Sequence, residues 1–206
     1  MIAVIDYGVG NLFSLKSSFA AIGEKAIITY EKEEIDNAAG IILPGVGAFS
    51  DAMKKLESNG LADILKEQAA KGKPILGICL GMQLLFEKSF EYGEHKGLGL
   101  INGEIRPIAE VIPANLKIPH IGWNALEFKN KTDIFKYIKN GDFVYFVHSY
   151  YAATDDENIT SVAEYGYPLT ASVQKNNIFG CQFHPEKSGN IGLEILRAFC
   201  ETEASV

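Results

Sequence analysis

One stretch limits the folds open to this chain more than any other: Lys73-Pro74-Ile75-Leu76-Gly77-Ile78-Cys79-Leu80-Gly81-Met82-Gln83-Leu84-Leu85. An apolar run meets a cysteine with a glycine two residues to either side, and a helical pattern follows at once. That order describes a strand, a sharp turn and a helix, with Cys79 at the apex. Gly77 and Gly81 suit such a turn, because a backbone this tight leaves no room for Cβ atoms beside the apex. A thiol at a helix N-terminus meets amide groups and a dipole that favour the thiolate. Serine hydrolases build their nucleophile turn in the same way, as G-x-S-x-G; here the nucleophile is sulfur. A lone cysteine in an apolar run is more often a plain core residue. The assignment therefore depends on partners elsewhere in the chain.

Those partners are a base and an acid. The chain has four histidines, His95, His120, His148 and His184. The last follows a predicted strand over residues 178–183, in Phe183-His184-Pro185-Glu186. Pro185 pushes the residue before it toward the β region, and side chains two apart in extended chain share a face. His184 and Glu186 are thus expected to meet, the imidazole taking the thiol proton and the carboxylate fixing its tautomer. Residues 44–47 read Pro-Gly-Val-Gly, a loop able to aim backbone N–H groups at an anionic oxygen. A tetrahedral intermediate on Cys79 needs such donors. The Leu80 N–H is the natural first one, and the loop at Val46 and Gly47 supplies the second. Gly8-Val9-Gly10 also lies between a strand and a helix, but residue 13 is Phe, so the dinucleotide pattern G-x-G-x-x-G fails.

The first part of the chain alternates strand and helix. Strands are predicted over residues 2–5, 26–30 and 40–43 and before Cys79, with helices over 12–22, 52–56, 61–70 and from the cysteine to about 86. This βαβ order implies a parallel sheet covered on both faces, with sites beyond the carboxyl ends of its strands. Closely spaced strands follow, over 97–105, 124–128, 143–151, 161–165, 169–174 and 178–183, then a helix over 189–199. The expected fold is α/β: one domain over residues 1–206, with a largely parallel central sheet flanked by helices and extra antiparallel strands in the C-terminal half. A net charge of −7 without a basic cluster argues against a nucleic-acid surface. No apolar run approaches the roughly 18 residues that span a bilayer, and residues 1–6 look like a strand, not a signal sequence. Three widely separated cysteines, Cys79, Cys181 and Cys200, suggest neither a disulfide framework nor a metal site. A cytoplasmic enzyme without metal or cofactor is expected, with Cys181 and Cys200 in the core.

The Cys79 turn paired with His184-Pro185-Glu186 resembles the triad of class I glutamine amidotransferases. The resemblance goes beyond the class, to the glutaminase subunits of imidazole glycerol phosphate synthases, and runs over nearly the whole chain. It is carried by residues 6–11 (DYGVGN), 44–49 (PGVGAF), 118–124 (IPHIGWN), 146–150 (FVHSY) and 184–188 (HPEKS). The resemblance implies that Cys79 attacks the glutamine side-chain amide, that His184 protonates departing ammonia, and that Glu186 orients His184. It places Gln83, Glu91, His148, Ser149 and Tyr150 around the glutamine. It implies a heterodimer in which ammonia passes to a separate (β/α)₈-barrel cyclase subunit, and it places Asn11, Pro119, His120, Trp123, Asn124, Tyr145 and Lys187 at that interface. Two departures stand out: Val9 occupies a position where some members carry proline, and a charged segment over about 129–140 is extra. Both bear on docking, not on the chemistry. Among other classes, an amidotransferase subunit serving pyridoxal phosphate, anthranilate or guanylate synthesis fits residues 119–124 poorly. An intracellular protease-like cysteine hydrolase would carry histidine where Leu80 stands. A non-catalytic module would not need Cys79, His184 and Glu186 intact.

Overall fold

The computed structural model describes residues 1–202. Its first part is regular: β1 (Ile2–Ile5), α1 (Leu12–Ala21), β2 (Ala26–Thr29), α2 (Lys32–Asn37), β3 (Gly40–Leu43), α3 (Phe49–Ser58), α4 (Leu61–Ala70), β4 (Ile75–Ile78) and α5 (Leu80–Leu84). Ten further strands follow: β5 (Phe86–Ser89), β6 (His95–Lys96), β7 (Ile101–Pro107), β8 (His120–Ala125), β9 (Glu127–Phe128), β10 (Phe143–His148), β11 (Tyr150–Ala153), β12 (Ile159–Glu164), β13 (Pro168–Lys175) and β14 (Ile178–Cys181), before the closing helix α6 (Gly189–Cys200). The central sheet has eight strands in the order β2-β1-β3-β4-β14-β13-β12-β9. From β2 to β14 neighbours run parallel; β13, β12 and β9 extend the sheet antiparallel. The mixed sheet matches the expected α/β architecture.

The inner parallel strands β1, β3, β4 and β14 are buried along their whole length because helices cover both faces, while the edge strand β2 is half-buried at Ile27 and Ile28. Alternate residues feed two cores: Ala3, Ile5, Ile41 and Leu43 face α3 and α4, whereas Ile2, Val4 and Ile42 face α1 and α6. Helix α3 shows the required stripe, burying Phe49, Ala52, Met53 and Leu56 at a spacing of three and four. Its start at Phe49 is earlier than the expected residue 52. Helix α2 was not legible, since only Ile35 among its residues is buried and its charged side chains show no apolar period.

Three differences from expectation shape the site. Helix α5 ends at Leu84, and Phe86 already belongs to β5. The carbonyls of Leu84, Leu85 and Phe86 accept instead from the N–H groups of Leu98, Leu100 and Gly99. Tertiary hydrogen bonds thus end a run whose apolar residues suit a helix and a buried strand equally. Residues 97–100 take part in that contact, so β7 starts only at Ile101. The strand expected over 143–151 is two strands: β10 pairs with β8 and β11 with β7, the chain changing sheets at Ser149. Among the described residues, no helix is long and apolar enough to cross a membrane.

Candidate active site

Four adjacent parallel strands deliver the site at their carboxyl ends. Tyr7 follows β1, residues 44–47 follow β3, Cys79 follows β4, and Gln182 and His184 follow β14. Cys79 is the hinge between β4 and α5, at φ +54° and ψ −111°. A non-glycine residue there carries strain of the order of 1–3 kcal/mol and persists only if its surroundings over-determine it. They do. A Cβ on Gly81 would overlap the Leu43 carbonyl, and one on Gly77 would stand 2.7 Å from the backbone of Gly81 and Met82. The Cys79 N–H also donates to the Cys181 carbonyl at 2.8 Å. With only five residues, α5 contributes a small dipole. The nearby donor that matters is the Leu80 N–H, which opens the helix without an intrahelical acceptor.

His184 is held from three sides. Its backbone N–H donates to the Tyr145 carbonyl at 2.9 Å, and its own carbonyl accepts from Ser188 Oγ at 2.6 Å. Its ring Nδ1 lies 2.8 Å from Glu186 Oε1, with the two side chains 4% and 2% exposed. The pairing is as expected, but its backbone cause is different. Residues Pro185–Lys187 form a 3₁₀ turn, so the carboxylate curls back to the imidazole and does not share an extended face with it. Burial pulls the His184 pKa down, but its interactions with Cys79 and Glu186 outweigh it and raise the value to about 9. An imidazole this basic can hold the thiol's proton.

Cys79, Leu80, Val46, Gly47, Gln83, Glu91, His148, Ser149, Tyr150 and His184 all line one cleft of about 450 Å³. Glu186 stands behind His184. Pro119, Lys187 and Tyr92 complete the rim. A larger cavity of about 580 Å³, beside Tyr151, Tyr167 and Thr170, contains neither cysteine nor histidine. We assign the chemistry to the smaller cleft for that reason. Within it, Gln83 Nε2 donates to Gln182 Oε1 at 2.9 Å, and Gln182 Nε2 approaches Cys79 Sγ at 3.7 Å. Gln83 therefore buttresses Cys79 through Gln182. The carboxylate of Glu91 accepts from the Phe49 N–H, where α3 begins. The hydroxyl of buried Tyr7 donates to the Pro44 carbonyl at 2.7 Å, and burial raises its pKa well above the ordinary phenol value. Gln182, Ser188 and Tyr7 received no role from the sequence, because Gln182 and Tyr7 act on distant residues and Ser188 ties the His184 carbonyl to the distant Tyr145 N–H. His148 is buried, with both ring nitrogens engaged: Nδ1 is 2.8 Å from the Tyr150 carbonyl and Nε2 is 2.9 Å from His120 Nδ1. Its backbone, not its imidazole, is what the cleft can use.

The expected interface residues divide by strand alternation. On β8, Trp123 is 54% exposed and Ile121, within the same segment, 58%. His120 points the other way and is 3% exposed, so its ring is not a surface contact. Asn124 lies on the same inner side and donates to the Glu164 carbonyl at 2.9 Å. Trp123 packs edge-on against Tyr145 at 6.2 Å, and Lys187 Nζ sits 5.9 Å from the Tyr145 ring. Pro119 and Asn11 are exposed, Asn11 capping α1 through the Ser14 N–H. Cys181 is buried, as expected, and burial drives its pKa up; Cys200 is half-buried and its pKa rises to about 12 for the same reason. Among the described residues, no group of three or more His, Cys, Asp or Glu side chains is placed to hold a metal ion.

Residues 3–202 match the family "Glutamine amidotransferase class-I". The chain belongs to this family. Among individual class I relatives, the chain is 51% identical over 202 residues to the imidazole glycerol phosphate synthase subunit HisH of Caldanaerobacter subterraneus subsp. tengcongensis, covering 98% of each chain. It is 47% identical to the protein of the same name from Aquifex aeolicus, covering 95% of this chain and 94% of that one. Among solved structures, a glutamine amidotransferase crystal structure superposes with a TM-score of 0.75 at 18% identity, covering 98% of each chain. The PurLQS structure from Thermotoga maritima gives 0.71 at 20% identity over 96% of each. At such identities these structures speak for the class I glutamine amidotransferase fold.

Proposed function

We propose that this chain is the glutaminase subunit of an imidazole glycerol phosphate synthase, acting as one cytoplasmic domain. Cys79 Sγ attacks the side-chain carboxamide carbon of L-glutamine, its proton passing to His184. The N–H groups of Leu80 and of the loop at Val46 and Gly47 receive the oxyanion. His184 then protonates the departing nitrogen, releasing ammonia and leaving a γ-glutamyl thioester. Water, deprotonated by His184, attacks the thioester and yields glutamate and the free thiol. Glu186 keeps the imidazole oriented throughout. Gln83, Glu91 and residues His148, Ser149 and Tyr150 shape the glutamine site, with Glu91 paired to the α-ammonium. The ammonia passes to a (β/α)₈-barrel cyclase bound over Asn11, Pro119, Trp123, Asn124, Tyr145 and Lys187, with His120 behind that surface. There it enters the synthesis of imidazole glycerol phosphate and an aminoimidazole carboxamide nucleotide in histidine biosynthesis.

One observation supports the reaction above all others. A strained cysteine and a histidine paired at 2.8 Å with Glu186 behind it come from opposite halves of the chain into the same cleft. The branch of the family is supported by near-half identity to subunits of that synthase over almost the full length. The test is glutamate release from glutamine by the complex with the barrel subunit. Cys79→Ala should reduce it to background; undiminished release would refute the nucleophile assignment.

A further inference from the structure

His148 and His120 face each other across the β8–β10 pair, where they are direct register partners. Both rings are buried, and their contact belongs to a row of four groups. His148 Nδ1 meets the Tyr150 carbonyl at 2.8 Å, His148 Nε2 meets His120 Nδ1 at 2.9 Å, and His120 Nε2 meets Asn124 Nδ2 at 3.3 Å. The ends of the row fix every proton in it. A backbone carbonyl only accepts, so His148 carries its hydrogen on Nδ1 and presents a lone pair at Nε2. His120 must then donate from Nδ1 and accept at Nε2. Asn124 completes the order: its oxygen accepts from the Ala125 N–H at 2.8 Å, and its amide nitrogen donates to the Glu164 carbonyl and to His120.

We propose that His120 and Asn124 are positioning residues of the glutaminase site, fixing the tautomer of His148 and so the backbone of residues 148–150 that lines the cleft. The inference rests on the reading that this cleft binds glutamine. It makes β8 a two-sided element. Ile121 and Trp123 face outward, while the inward row runs to Tyr150, so a partner seated on β8 would act on the cleft through these hydrogen bonds. Protonation of either ring would place two N–H groups against each other. In keeping with this, burial lowers the pKa of His120 and lowers that of His148 to about 4. The ionisable groups facing the pair are His184, whose charge acts on His148, and Tyr165, stacked on His120 at 4.3 Å.

The test combines spectroscopy and kinetics. Long-range ¹H–¹⁵N spectra of the full chain should show His148 and His120 both as Nδ1–H tautomers; an Nε2–H tautomer at His148 overturns the proposal. In the complex with the barrel subunit, His120→Phe keeps a ring between Phe146 and Tyr165 but leaves His148 Nε2 unpaired. It should raise KM for glutamine about tenfold, with kcat within about twofold. Asn124→Asp replaces the donor by a carboxylate that favours a charged His120. The charged ring donates to the carboxylate and still donates from Nδ1 to His148, so KM should stay near the wild-type value at neutral pH and rise as increasing pH discharges the ring to its Nε2–H form, a pH dependence that a merely structural role would not give. A KM unchanged in His120→Phe, and in Asn124→Asp at every pH, also overturns the proposal. A wild-type complex without any glutaminase activity would instead refute the functional reading, and the tautomer spectra would still decide the row.

Discussion

The two sides of the cleft are built on opposite principles. At the Cys79 turn, backbone presses on backbone at Gly77 and Gly81, the Met82 and Val173 side chains close on Gly180, and the turn is bonded to β14. Across the cleft, the loop over residues 44–48 is held at its ends, by Tyr7 at the Pro44 carbonyl and by Glu91 at the Phe49 N–H. Between those ties Val46 is 46% exposed, and Gly47, at φ +95°, has nothing within 4 Å of where a Cβ would stand. The nucleophile is fixed by packing before any substrate arrives. Of the two proposed oxyanion donors, the Leu80 N–H belongs to that packed turn, whereas the one at Val46 and Gly47 sits on an exposed span. Control by a partner subunit is therefore expected at the loop and not at the thiol.

The sharpest way to break the comparison is to add one methyl group on each side. Gly81→Ala drives a Cβ into the Leu43 carbonyl and should destabilise the chain by roughly 3 kcal/mol or more. Gly47→Ala meets no atom and carries only the strain of its positive φ, on the order of 1 kcal/mol. It should stay folded while losing turnover. Urea unfolding measures both, and equal losses of stability would erase the distinction.

Glu91 sharpens the comparison from the loop side. Glu91→Gln can still accept from the Phe49 N–H but loses the charge for an α-ammonium, so KM should rise by about tenfold with kcat nearly kept. Glu91→Ala also frees the end of the loop, and kcat should fall as well. Steady-state kinetics of the complex separate the two; identical behaviour would mean that the tie to Phe49 does not matter.

The smallest expected effect concerns pH and compares two buried histidines. His148, lowered to about 4, adds stability that is complete above its unfolded value near 6.5 and lost as pH falls toward 4. His184, raised to about 9, adds stability that is complete below 6.5 and lost as pH rises through 9. Together the two contributions peak near pH 6.5 and decline by roughly 1–3 kcal/mol on either side. Unfolding free energies at pH 4.5, 6.5 and 9 check this; a monotonic trend would contradict it.

Apart from α2, the N-terminal half was legible because each unit is local. A buried strand, a glycine stop and an amphipathic helix leave their periodicity in neighbouring residues. The C-terminal half was less so, since the change of sheet at Ser149 depends on which distant strands, β8 and β7, stand on either side. The same holds within the site. Cys79 and its flanking glycines announce a turn by themselves, whereas Gln182 gains its meaning from Gln83 and Cys79, 99 and 103 residues away. His120 was assigned to the surface from its motif, and the pleat of β8 turned it inward.

The central claim is that Cys79 becomes covalently acylated by glutamine. Acid quenching of the complex during turnover, followed by peptide mass analysis, tests this directly. The account predicts a γ-glutamyl thioester on the Cys79 peptide, absent in Cys79→Ala. Steady ammonia release with the adduct on another residue, or undiminished in the alanine variant, would contradict it.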